Sequence, residues 1–230
     1  MHRFFADEKR DQQLIITDRD DVKHLKKVIR LRPGDIVELV YLGSLFQARL
    51  LEITHEAVFD ELNFLDELNE TIEVSLIQGM PKGQKMSDIL VHGTEVGIDR
   101  FIITPMDRSV AASDPGKRER YERIVKDASK QSKRYRIPKI HFEDFKKIDF
   151  ACFDRVYFFY EGSDQPLTVV PKDHSIAIVM GPEGGFSDEE VAHLRRLPQV
   201  MEVSLGRRIL RTETAGLVAT AIIRHRLETL

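Results

Sequence analysis

Two loops hold most of the residues whose types and spacing point to chemistry. The apolar run Ile176-Ala177-Ile178-Val179-Met180 empties into Gly181-Pro182-Glu183-Gly184-Gly185-Phe186, and Val200 to Leu205 empties into Gly206-Arg207-Arg208-Ile209-Leu210-Arg211-Thr212-Glu213-Thr214-Ala215. Three glycines around a fixed proline let the backbone approach a ligand closely and offer it N–H and C=O groups. A turn with a helix cap is the plainer use of the same residues. Glu183 would repel a phosphate, whereas a carboxylate and free carbonyls suit a neutral or cationic ligand such as an adenine, a ribose or a sulfonium. There is no GxxxxGKS/T and no GxGxxG, so neither a P-loop nor a dinucleotide fingerprint is supported, and Gly162-Ser163-Asp164 is not a GxSxG nucleophile elbow. The eight histidines show no HExxH and no cluster at ligand spacing, which predicts no metal. Cys152 is the single cysteine, so no internal disulfide forms and a reducing compartment is expected; its setting, Phe150-Ala151-Cys152-Phe153, reads as core.

The elements that must position these loops alternate. Ile72 to Ile77, Phe101 to Thr104, Val156 to Tyr160, Ile176 to Met180 and Val200 to Leu205 read as strands, separated by helices over Lys85 to Val96, Gly116 to Tyr135, Asp188 to Leu197 and Glu213 to Leu227. That order predicts a parallel α/β sheet, in which ligands bind beyond the carboxyl ends of the strands. Ser187 with Glu190 forms a capping box, Pro198 stops that helix, and Asp114-Pro115 opens the basic one. Nearer the N-terminus the texture is different. Ile36 to Tyr41, Leu45 to Leu50 and Ala57 to Phe59 are short β-like pieces separated by Pro33-Gly34-Asp35 and Leu42-Gly43-Ser44 turns, which suggests a small barrel or sandwich. Asp20 to Ile29 reads as a helix with Leu25, Val28 and Ile29 inward. The acidic stretch ending near Asn69-Glu70 reads as the linker, which sets the domains at residues 1–70 and 71–230.

Charge adds a second indication. The chain has 230 residues, 42% hydrophobic and 32% charged, with a formal net charge of -3, which argues against a wholly basic nucleic-acid wrapper. The charge is segregated. His55 to Glu73 holds seven acids and no Lys or Arg, while Arg108 to Lys139 holds eleven bases against four acids, 11 − 4 = +7. On the helix from Gly116, Tyr121, Ile124, Val125, Ala128 and Tyr135 form a buried stripe, and Arg123, Lys126, Lys130 and Lys133 step along another face. Such a row of cations suits a polyanion or, more plainly, a solvated surface. Small residues at spacing four in the last helix, Ala215 and Ala219 among them, permit close packing within the chain or against a second copy. The start runs from Met1-His2-Arg3-Phe4-Phe5 directly into charge, and no stretch approaches the roughly 18 apolar residues of a membrane span, so a soluble cytoplasmic protein is expected.

Several of these residues, taken in order, carry a family resemblance. His2-Arg3-Phe4-Phe5, His24-Leu25 to Arg30 with Gly34, Lys82-Gly83 with Lys85-Met86, Thr94-Glu95-Val96-Gly97, Gln131-Ser132 with Arg134 and Pro138, and the two glycine loops resemble the motifs of the RsmE family of SPOUT-superfamily methyltransferases. The chain departs from the family where His92-Gly93 replaces Lys-Ala and where Lys130 replaces Glu. The resemblance implies a PUA-like RNA-binding β-barrel followed by a parallel α/β domain with a C-terminal trefoil knot, S-adenosyl-L-methionine as cofactor, and a homodimer. The implied substrate is a uridine of 16S ribosomal RNA in the small subunit, methylated at N3.

On that reading the cofactor lies between two loops, Gly181, Pro182, Glu183, Gly184 and Gly185 on one side and Leu205, Gly206, Ile209 and Leu210 on the other, with Glu161 nearby. Arg211 is the candidate catalytic cation. Arg207 and Arg208 grip RNA phosphates, and His2, Arg3 and Arg30 extend the cation row into one RNA surface. The rivals are a ribosome assembly factor without catalysis, a small-molecule α/β enzyme, and a SPOUT methyltransferase of another nucleotide.

Overall fold

Short alternations of apolar and polar residues make the strands of the N-terminal unit, and near-continuous apolar runs make those of the C-terminal one. The computed structural model describes residues 2–68, 72–110, 114–169 and 173–228, the side chain of residue 228 excepted. The chain divides into two units, Met1–Asn69 with Ser129–Arg136, and Glu70–Ala128 with Ile137–Leu230. The expected linker end at Asn69-Glu70 lies outside the described residues.

In the first unit, β1 (Arg3–Phe5), β2 (Glu8–Arg10), β3 (Gln13–Ile16), β4 (Ile36–Tyr41), β5 (Ser44–Ile53) and β6 (Ala57–Glu67) form a mixed 6-stranded sheet in the order β1-β4-β5-β6-β3-β2. Register shifts along β5 and β6 bend the pair, as bulges do, around a core of Phe4, Leu14, Ile16, Leu39, Leu50 and Phe59. The acidic stretch read as a linker is β6 as far as Glu67; there Glu61 meets Lys9 at 2.6 Å, and Phe59 lies opposite Leu14 in the core. α1 (Arg19–His24) begins on the Asp18 carboxylate and passes into a π-helical turn, Leu25–Ile29. The wider winding of that turn moves side chains off the 3.6-residue positions, so Leu25 is buried and Val28, expected inward, is 67% exposed.

The segment Ser129–Arg136 is held within this unit by three ties. Lys130 pairs with the buried Asp21; Arg3 pairs with Glu38 at 2.9 Å and donates to the Lys133 carbonyl; and Tyr135, with the Arg3 guanidinium 5.0 Å over its ring, donates to Asp66 Oδ2 at 2.7 Å. Tyr135 therefore does not extend the buried stripe of the basic helix, and Arg3 and Lys130 stand inside the unit rather than on an open cationic row. Lys130 is also one of the departures from the family, and here it answers Asp21.

The second unit contains β7 (Glu73–Gly79), α2 (Lys85–Glu95), β8 (Arg100–Thr104), α3 (Arg118–Gln131, its last residues counted with the first unit), β9 (Lys139–Phe142), β10 (Arg155–Phe159), β11 (Ser175–Met180), α4 (Asp188–Arg195), β12 (Val200–Val203) and α5 (Thr212–Glu228). The sheet is all parallel, in the order β12-β10-β11-β7-β8-β9. Its two faces are covered separately. Ile176 and Ile178 pack with α2, α3 and α5 residues, while Ala177 and Val179 pack with Val191 and Leu194 of α4. The second departure from the family has a packing reason. A Cβ at Gly93 would stand 2.8 Å from Ile98 Cδ1 and 2.9 Å from the Phe101 ring, so glycine lets α2 close on them. In α5, Ala219 and Ile223 are buried within the chain, and Arg224 donates to the Gly97 carbonyl. The capping box at Ser187 and Glu190 forms as expected. Among the described residues no helix is long and apolar enough to cross a membrane.

Candidate active site

The winding of the parallel sheet reverses between β7 and β11, with β8 and β9 laid to one side and β10 and β12 to the other. Loops part at such a reversal and leave a crevice beyond the carboxyl ends. A cavity of about 1030 Å³ opens there, walled by the loops after β10, β11 and β12, with Lys85 entering from the start of α2. Glu161, Gly181, Pro182, Glu183, Gly185, Leu205, Gly206, Ile209 and Leu210 line it, as do Arg207, Arg208 and Arg211. Gly184 does not. A Cβ on it would stand 3.0 Å from Arg108 Cβ and 3.1 Å from the Arg108 carbonyl oxygen, so its missing side chain makes room for the loop after β8. The left-handed backbone of this loop belongs to Gly185, at φ 69.

A buried polar network holds the loop in place. The Thr212 hydroxyl donates to the Gly181 carbonyl at 2.6 Å, and Gln78 Nε2 donates to Thr212 Oγ1 and to the Gly79 carbonyl, both at 2.9 Å. This joins the end of β7, the loop after β11 and the first residue of α5. Sequence reasoning missed both side chains. The signal was present in Gln78, an amide directly after the apolar pair Leu76-Ile77, because a buried polar group is kept only where it has partners.

Lys85 was also missed as a site residue. Its ammonium lies 2.7 Å from Glu183 Oε1 and 3.4 Å from Glu213 Oε2. Burial alone would raise the Glu183 carboxyl; Lys85, with the backbone amides of Glu183 and Lys82, outweighs burial and holds it below its usual range. Lys85 is raised in turn, first by its hydrogen bond to Glu183. Glu183 is therefore an ionised carboxylate whose charge is answered, not the bare anion its loop sequence suggests. Arg211 is one of three exposed cations lining the cavity, with Arg207 and Arg208: its side chain is 82% exposed, and Glu213 Oε1 lies 4.0 Å away.

The remaining candidates fall in different places. Cys152 is exposed between the buried rings of Phe150 and Phe153, which corrects its reading as core. Partial burial and the nearby Asp149 raise its thiol, and it lies outside the cavity lining, so no thiolate serves this site. His2, Arg30 and Lys133 are exposed in the first unit, Arg123 and Lys126 lie on α3 in the second, and Arg207 and Arg208 are exposed at the cavity.

The sequence matches the family model of an RNA methyltransferase domain over residues 68–224 and that of an RNA methyltransferase PUA domain over residues 16–59. The fold and crevice are thus those of a two-unit RNA methyltransferase. Over 230 aligned positions the chain is 33% identical to the ribosomal RNA small subunit methyltransferase E of Bacillus subtilis, covering 92% of this chain and 90% of that one. The corresponding Synechocystis protein is 31% identical, covering 89% and 71%. The Neisseria gonorrhoeae enzyme of the same name, solved bound to S-adenosyl methionine, superposes with a TM-score of 0.86 over 98% of both chains at 26% identity. The chain belongs to the RsmE family.

Proposed function

We propose that the chain moves a methyl group from S-adenosylmethionine to N3 of a uridine in 16S ribosomal RNA of the small subunit, as a homodimer with a knotted C-terminal segment. The observation that carries this reading is one cavity into which three strand-end loops and Arg211 converge, in a chain that aligns over 98% of its length with a relative solved with that cofactor. The residues present fit the group. The cavity, about 1030 Å³, is of a size that takes a nucleoside-sized molecule. With no side chain, Gly185 leaves the Glu161 carboxylate clear, 3.9 Å from where a Cβ would stand, and that carboxylate accepts from hydroxyls and tolerates a positive sulfonium.

When bound, S-adenosylmethionine supplies a methyl group made electrophilic by its sulfonium. Glu161, the Gly181 to Gly185 loop and Leu205, Gly206, Ile209 and Leu210 hold it. Uracil N3 carries a proton at neutral pH, so its attack needs that proton removed and the resulting charge, spread over N3 and the flanking oxygens, stabilised. The Arg211 guanidinium, flat and permanently charged, matches that edge. Arg207 and Arg208, with His2, Arg30, Lys133, Arg123 and Lys126, bind phosphates and set the register of the RNA.

Mass-spectrometric mapping of ribosomal RNA from cells lacking the protein tests this function: a uridine of the small-subunit RNA loses its N3 methyl group, and the gene restores it. An unchanged methylation pattern overturns the reading. The phosphate assignment has its own measurement. Replacing Arg207 and Arg208 by alanine flattens the salt dependence of RNA binding by about two contacts. Lys130→Met behaves differently: it takes the Lys130 cation away from the buried Asp21, lowering stability by about 3 kcal/mol, and does not change the salt slope. A flattened slope in a stable Lys130→Met protein would return Lys130 to the phosphate surface.

A further inference from the structure

Lys85 is the first residue of α2, where the positive end of the helix dipole disfavours a cation. What stabilises it comes from elsewhere in the chain: Glu183 at 2.7 Å and Glu213 at 3.4 Å. The two carboxylates are not equally dependent on it. Glu183 has a second donor, the Lys82 amide, at 3.2 Å from both its oxygens. Glu213 Oε2 is buried with no hydrogen bond, and Lys85 is the cation beside it. The other Glu213 oxygen faces Arg211 Nη1 at 4.0 Å, the outer limit of an ion pair, and the Arg211 side chain stays 82% exposed. Glu213 thus stands between two cations and is nearer to Lys85.

We infer that Lys85 is a positioning residue for Arg211: by holding the Glu213 carboxylate, it keeps that carboxylate from drawing the guanidinium out of the cavity mouth. Without Lys85, Glu183 keeps its amide donor, while Glu213 has Arg211 as its remaining cation and closes on it. The arginine then sits against α5 instead of over the cavity. This inference rests on the proposed role of Arg211 in methyl transfer.

The test is single-turnover methylation of small ribosomal subunits with labelled S-adenosylmethionine, run beside calorimetric titration with S-adenosylhomocysteine and thermal unfolding. Lys85→Met slows transfer about tenfold, the scale of one lost pairwise coupling, and Lys85→Arg keeps most of the rate. The double variant Lys85→Met with Glu213→Gln regains most of what Lys85→Met loses, because the carboxylate that captures Arg211 is gone. A purely structural lysine predicts rates that fall and recover only in step with the unfolding midpoint, with no change at the Arg211 side chain. Nitrogen NMR of the arginine side chains in the cofactor-free protein gives a readout independent of turnover: the Arg211 signal shifts and its rotation slows in Lys85→Met, and both return in the double variant. Full activity in Lys85→Met, or no recovery in the double variant, overturns the inference while the role of Arg211 stands. Full activity in Arg211→Ala overturns the role of Arg211 itself, and this inference with it.

Discussion

Arg211→Ala lowers the single-turnover rate of methyl transfer on the order of 10²- to 10³-fold, the loss seen when one well-placed charge-stabilising donor is removed from an active site. The unfolding midpoint and the affinity for S-adenosylhomocysteine stay near wild type. The expectation of little structural cost follows from exposure: the side chain is 82% exposed and its ion pair to Glu213 spans 4.0 Å. Exposed pairs of that kind contribute about 0 to 1 kcal/mol. Arg211→Lys is also costly, because an ammonium is a point charge and does not offer two parallel donors to the flat edge of a uracil anion. An unfolded or dissociated Arg211→Ala protein would make the residue structural, and an unchanged rate would remove it from the chemistry.

Gly185→Val abolishes measurable S-adenosylhomocysteine binding. Gly185 sits at φ 69, where a β-branched residue is strained by about 1 to 3 kcal/mol, and it lines the cavity with Glu161 Oε1 3.9 Å from the place a Cβ would take. The loop has little freedom to absorb the strain, because Thr212 holds the Gly181 carbonyl and Phe186 packs edge-on against Phe158 at 4.7 Å. Gly184→Val gives a different result. Its side chain meets Arg108 rather than the cavity, so stability falls first and binding falls only as the loop shifts. Calorimetry and thermal unfolding on both variants separate the effects. A folded Gly185→Val protein with wild-type affinity would move the cofactor away from this loop.

The parallel α/β domain was legible because its strands are buried on both faces: Ile176 to Met180 and Val156 to Phe159 are continuous apolar runs, and helix caps at Ser187 and Asp114 punctuate them. The same logic located the cavity loops, since ligands gather where such strands end. The first unit was harder to read. Its β4 bounds, Ile36 to Tyr41, came out correctly, but β1, β2 and β3 are three or four residues long, too short to show a period, and β6 was read only from Ala57 to Phe59, its remainder hidden by acids whose partners, Lys9 for one, lie far off in the sequence. By itself the sequence determined the long elements of the α/β domain and the two glycine loops that end its strands. Tertiary structure alone decided which cations are open. It paired Lys130 with Asp21, Arg3 with Glu38 and Lys85 with Glu183 and Glu213, and left Arg211 exposed. The physical reason is that periodicity reports which face of an element is buried, whereas a charge is answered by whichever opposite charge the fold brings within a few ångströms, at any separation along the chain.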